Sequence, residues 1–256
     1  MTKRLAALAV LVLAVLAGRW ALRPEQAVNR DGRLSFKPHG PVAPVVAGKA
    51  ALGLAEERDG FLFVPKSNDG RRFEPLLVLL HGATQRARLF ERMTPIADSL
   101  GLVILAPDSR EITWDAIRGE FGPDIEFLDR AIMAAFDRAY VDPCRVVIGG
   151  FSDGASYALS LGIRNARLLS GVVAFSPGFA IPAREVGKLP IFMRHGTRDE
   201  ILPIDHSSRP LLAALKKADF TVDYAEFDGP HTARPVDART AMLWVNARTC
   251  PEQQRD

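Results

Sequence analysis

The sequence predicts an α/β fold, a mostly parallel twisted sheet with helices on both faces. Two observations predict it. The runs "PLLVLL" (75–80), "LVILAP" (102–107) and "RVVIGG" (145–150) are strand-length and almost wholly apolar, as strands covered on both faces must be. Between them lie segments with apolar residues at helical spacing, long enough to carry the chain from one parallel strand to the next.

Composition agrees with one large core. The chain has 256 residues, 48% hydrophobic and 25% charged, with a formal net charge of +3. Lys and Arg are scattered among Asp and Glu, so no basic stripe marks a nucleic-acid surface.

Lys3 and Arg4 precede an apolar run from Leu5 to Ala17. That is short of the ~20 residues of a membrane span and matches the apolar core of a signal peptide. Val15-Leu16-Ala17 puts small residues before Gly18, where a signal peptidase would cut. Residues 1–17 are therefore expected to direct export, periplasmic or secreted. If uncleaved, residues 5–22 would instead anchor the chain to a membrane. Residues 18–48, rich in Pro, Gly and polar residues, read as a linker or extended arm, and 49–256 as the folded domain. Cys144 and Cys250 are the two cysteines. An exported chain could pair them, and two free thiols are the alternative.

Along the domain, 50–65 reads as a hairpin turning near Glu57 and Arg58, and 75–80 as a buried strand. A helix over 89–101 closes on Gly101, a C-cap signal. Strand 102–107, helix 124–140, strand 145–150 and helix 153–163 follow. Then come strands 168–177 and 189–196, helix 204–218, an edge strand over 221–229 and a closing helix over 235–248.

In such sheets the ligand site lies beyond the carboxyl ends of the strands. Three of those ends make a chemical set. "GFSDGAS" (150–156) puts Ser152 on a sharp strand-to-helix turn, with Gly150 and Gly154 where the two backbones must approach. The positive helix N-terminus favours a developing oxyanion. A serine hydroxyl needs a base. Of five histidines, His39 lies in the arm and His206 in a helix. His81 and His195 each precede a glycine at a strand end, which suits locking the backbone. His231, in the loop after the last strand, is the candidate base. Asp199 in "HGTRDE" (195–200) is its candidate acid partner, with Asp205 and Asp228 as rivals. The backbone N–H groups of Ala83, in "HGAT" (81–84), and Asp153 are the candidate oxyanion donors.

Together "LLHGA", "GFSDGASYALSLG", "VVAFSPGF", "HGTRDEILPI" and "EFDGPHTA" resemble the α/β-hydrolase superfamily. Within it they look like small bacterial esterases of the phospholipase/carboxylesterase group, related to acyl-protein thioesterases and dienelactone hydrolases. The resemblance spans about residues 49–247. It implies the α/β-hydrolase fold and hydrolysis of a small-molecule or lipid ester through an acyl-serine, with no metal or cofactor. By position it implies Ser152 as nucleophile, Asp199 as acid and His231 as base. Two departures stand out. "HGAT" continues as "QRARLF" without a further glycine, and the export signal is unlike the cytosolic members.

Many relatives insert a cap between the strands that here are separated only by residues 178–188, so no cap domain and an open cleft are expected. Trp114 and Phe121, in the long connector 108–123, and Phe179 are candidate walls for substrate, with packing of the loop onto the core as the other role open to Trp114 and Phe121 and the favoured one for Trp114. A peptidase or amidase using the same triad, and a silent fold used for binding, are the alternative functions.

Overall fold

The computed structural model describes residues 31–181, 183 and 187–249. Residues 1–17 with their export signal, residues 18–30, and Cys250 with its pairing to Cys144 lie outside the described residues.

The described strands are β1 (Gly48–Ala51), β2 (Gly60–Val64), β3 (Glu74–Leu80), β4 (Val103–Pro107), β5 (Val141–Phe151), β6 (Gly171–Phe175), β7 (Ile191–Gly196) and β8 (Val222–Phe227). They form one sheet in the order β1-β2-β4-β3-β5-β6-β7-β8. β1 and β2 pair antiparallel, as does β2 with β4, and every pairing from β4 to β8 is parallel. The helices are α1 (Thr94–Leu100), α2 (Pro123–Arg138), α3 (Asp153–Arg164), α4 (Ser208–Lys217) and α5 (Pro235–Asn246). None of the described helices is long and apolar enough to cross a membrane.

The apolar runs are explained by two-sided burial. Leu76, Val78 and Leu80 of β3 pack with residues of α2 and α3, while Leu77 and Leu79 pack with residues of α5 and the segment before β4. Each such side chain removed from water contributes about 1.5–3 kcal/mol, so no position in β3 can be polar cheaply. The chain runs outward from β3 to β4, then returns past β3 to β5. The carboxyl ends of β3 and β5 therefore flank the point where strand order reverses, where ligand crevices form.

Two expected helices are each divided. Residues 89–101 form a 3-10 helix, Ala87–Met93, followed by α1, because Pro95 lacks an N–H and its ring opposes the carbonyl four residues back. Gly101 closes α1 in the left-handed region, φ 64°, as its type predicts. The second expected helix opens as a 3-10 turn, Ile204–His206, with α4 starting at Ser208, and Pro210 acts in the same way.

The described part of the arm is docked. Leu34 and Phe36 are buried in the core, and Asp129 of α2 accepts the N–H groups of Ser35 and Phe36 at 2.8 and 3.0 Å. Asn165, after α3, accepts Leu34 N–H at 2.8 Å. Alternating apolar and polar residues let a strand-like segment lie on two helices without a sheet partner.

Candidate active site

Ser152 links β5 to α3 with φ 56° and ψ −120°, a region that costs a non-glycine residue on the order of 1–3 kcal/mol. Its N–H donates to Phe175 O at 2.9 Å, tying the turn to β6. A Cβ at Gly150 would stand 2.5 Å from Gly154 O, and one at Gly154 would overlap Leu80 O. Glycine at both positions lets strand, turn and helix close together, and so the strained serine is held.

Asp199 and His231 come from neighbouring loops that are joined through their backbones. Thr197 N–H donates to Phe227 O at 2.8 Å and Arg198 N–H to Gly229 O at 2.9 Å. His231 Nδ1 lies 2.5 Å from Asp199 Oδ2. A carboxylate only accepts, so Nδ1 carries the proton and Nε2 is left as a basic lone pair. Nε2 has no partner among the described residues. The His231 ring packs 4.7 Å, centroid to centroid, from Phe151, the neighbour of Ser152.

The carboxylate is fully engaged. Its Oδ1 accepts Ile201 N–H at 3.0 Å and Leu202 N–H at 2.8 Å. Its Oδ2 also faces His195 Nε2 at 2.9 Å. Burial pushes the Asp199 pKa up, but the Leu202 N–H and the two imidazoles outweigh it, and the group stays below its ordinary value. His195 is itself fully buried. Its Nε2 meets only acceptors, Asp199 Oδ2 and Leu202 O, so the proton sits there, and Nδ1 accepts from Ser208 Oγ at 2.5 Å. Burial pushes its pKa down, so the ring is neutral. The sequence pattern suggested only a backbone lock at His195. The contact to Asp199 is a tertiary feature, although four residues, one helical-turn spacing, separate the two.

At the end of β3 the backbone N–H groups sort themselves. Gly82 N–H donates to Gln85 Oε1 at 3.2 Å and Thr84 N–H to Ile112 O at 2.7 Å. Between them Ala83 N–H has no acceptor among the described residues, and neither has Asp153 N–H at the start of α3. His81 holds this loop from below: its Nδ1 donates to Gly82 O at 2.7 Å and its Nε2 accepts Ser109 N–H at 3.0 Å.

The other candidates lie elsewhere. Asp205 is exposed and pairs with Arg209, and Asp228 is exposed and pairs with Arg198. His39 lies beside Asp137 in the arm region, and His206 is exposed in the 3-10 turn. Trp114 is fully buried, so it offers no face to a substrate. Its Nε1 donates to His81 O at 2.8 Å and its ring stacks on Tyr157. It packs the connector beneath the β3 loop. Phe121 is buried against the same tyrosine, and Phe179 is 41% exposed. Among the described residues no cluster of His, Cys, Asp and Glu is arranged to hold a metal ion.

A family model described as Phospholipase/Carboxylesterase matches residues 117–232, which include Ser152, Asp199 and His231. The chain has the α/β-hydrolase fold. NocK of Nocardia uniformis subsp. tsuyamanensis, a protein with an esterase name, is 27% identical to the chain over 173 residues, 63% of this chain and 48% of that one. The match thus spans about half of that relative's length. Acyl-protein thioesterase 1 of Aspergillus fumigatus is 27% identical over 183 residues, 62% of this chain and 74% of the relative. Among solved structures, esterase PE8 superposes with a TM-score of 0.59 at 22% identity, over 73% of this chain and 96% of that one, a likeness of fold.

Proposed function

We propose that this protein is a hydrolase that cleaves carboxylic esters or thioesters through an acyl-serine intermediate, with Ser152 as nucleophile. The observation that carries this is the Asp199–His231 contact of 2.5 Å, which leaves Nε2 as a basic lone pair on a ring packed against Phe151, the neighbour of Ser152. His231 Nε2 takes the hydroxyl proton as Oγ bonds to the acyl carbon. The carbonyl oxygen becomes an oxyanion and accepts the free N–H groups of Ala83 and Asp153. The C–O or C–S bond then breaks, and His231 returns its proton to the leaving oxygen or sulfur. Water attacks the acyl-serine with His231 again as base, releasing the acid and restoring Ser152. The names of the relatives, esterase and acyl-protein thioesterase, support the reaction class.

The test is initial rates on p-nitrophenyl esters, with fluorophosphonate labelling, for wild type and Ser152→Ala. Turnover and labelling in the wild type alone are expected. Turnover by a folded Ser152→Ala protein would sink the reading, and absence of labelling in wild type would favour a silent binding fold. Export through residues 1–17 is part of the same proposal, and a mature N-terminus at Gly18 is what sequencing the exported protein should find.

A further inference from the structure

A cavity of about 450 Å³ opens on the sheet face that carries α1 and α5. Phe90, Met93 and Ile96 form one wall, and Phe151, His231 and Ala238 the other. Its size falls within the range of small-ligand sites, and its lining is mainly apolar. Its polar end lies beside the nucleophile. Gln85 lines it, and a Cβ placed on Gly82 would be 3.1 Å from Gln85 Oε1 and 3.2 Å from Ser152 Cβ.

We propose that this cavity binds the apolar body of the leaving alcohol or thiol, an inference that rests on the acyl-serine reading. The direction follows from the proton. The atom that departs must receive its proton from His231, so it leaves on the side of the His231 ring. That ring, with Thr232 and Ala233 after it, is part of the cavity lining. The carbonyl oxygen points instead to the N–H groups of Ala83 and Asp153. An apolar wall three aromatic or aliphatic side chains long favours an uncharged alkyl or aryl group, and each buried methylene is worth about fourfold in kcat/KM.

The experiment compares acetates of methyl, butyl, hexyl and benzyl alcohol with methyl esters of acids of matching length, in wild type and Ile96→Trp. Ala238→Phe fills the cavity from the opposite wall, should Ile96→Trp fail to fold. Expected is a rise of about fourfold per methylene along the alcohol series, and at least a tenfold fall in the hexyl-to-methyl acetate ratio in the filled variants. A flat alcohol series, or a variant effect confined to the acid series, overturns the assignment while leaving the esterase standing. Calorimetric binding of 1-hexanol and benzyl alcohol to Ser152→Ala separates the two readings without turnover. Alcohol binding that the filled variants lose, in a protein that cleaves no ester, would keep the cavity and sink the acyl-serine reading. No alcohol binding would sink the cavity.

Discussion

His195 and His231 meet on a single oxygen: Asp199 Oδ2 lies 2.9 Å from Nε2 of the first and 2.5 Å from Nδ1 of the second. His195 is thus placed to aim the carboxylate at His231. His195→Ala should lower kcat by about 10²-fold with KM little changed, the scale of a misplaced catalytic group. His195→Gln puts an amide N–H near the position of Nε2 and should recover much of the loss. Equal rates for the alanine and glutamine variants would show that the contact to Asp199 does not matter.

Asp199→Asn should cost about 10⁴-fold in kcat, because an amide cannot hold His231 in the Nδ1–H form. Asp205→Asn should leave turnover unchanged, since Asp205 is exposed and pairs with Arg209 at the surface. Steady-state kinetics on one ester decide it, and the reverse ranking would move the acid to Asp205.

Gly154→Ala adds a methyl where Leu80 O already stands. The turn must open to admit it, and the expected loss is about 1–3 kcal/mol or more, read as the urea midpoint. A variant as stable as wild type would show that β3 and the turn have slack.

Trp114→Phe removes the donor to the buried His81 carbonyl, which should cost about 1–3 kcal/mol of stability. The preference among ester chain lengths should not change, because the ring is enclosed. An altered chain-length profile at unchanged stability would return Trp114 to the substrate wall.

Acid should weaken the fold in a defined window. Burial pushes the pKa values of His81 and His195 below the ordinary histidine value, so the folded chain refuses protons that the unfolded chain takes. Their contribution is complete above about pH 6.5 and declines as the pH falls below it. Asp124 has the opposite sign. Burial raises it to about 6, so its contribution falls as the pH rises from about 4 to about 6. The slope of urea stability against pH, between about pH 5 and 6.5, should become less positive in His195→Gln, which lacks one of the two imidazoles. Identical slopes would mean that His195 charges within the fold.

Much of this was legible because it follows from local pattern. Strands buried on both faces need apolar residues at every position, which is why β3, β4 and β5 stand out as runs. The serine turn is legible because close backbone approach admits glycine alone at 150 and 154. The divided helices were less visible, since apolar spacing continues through Pro95 and Pro210 although the hydrogen-bond ladder does not. The fate of Trp114 was only partly visible: a large aromatic in a long connector suits a wall or, somewhat better, the core, and the position of His81 O and Tyr157 decides between them.

By itself, then, the sequence determined the α/β architecture, the order of the strand ends and the identity of Ser152, Asp199 and His231 as candidates. These rest on short-range rules, period, turn sterics and side-chain chemistry. Tertiary structure alone decided that His195 shares the carboxylate, that the N–H groups flanking Ala83 are taken by Gln85 and Ile112, and that an apolar cavity opens beside His231. Each of these depends on which distant loops come into contact, and contact between loops is set by how the two faces of the sheet are packed.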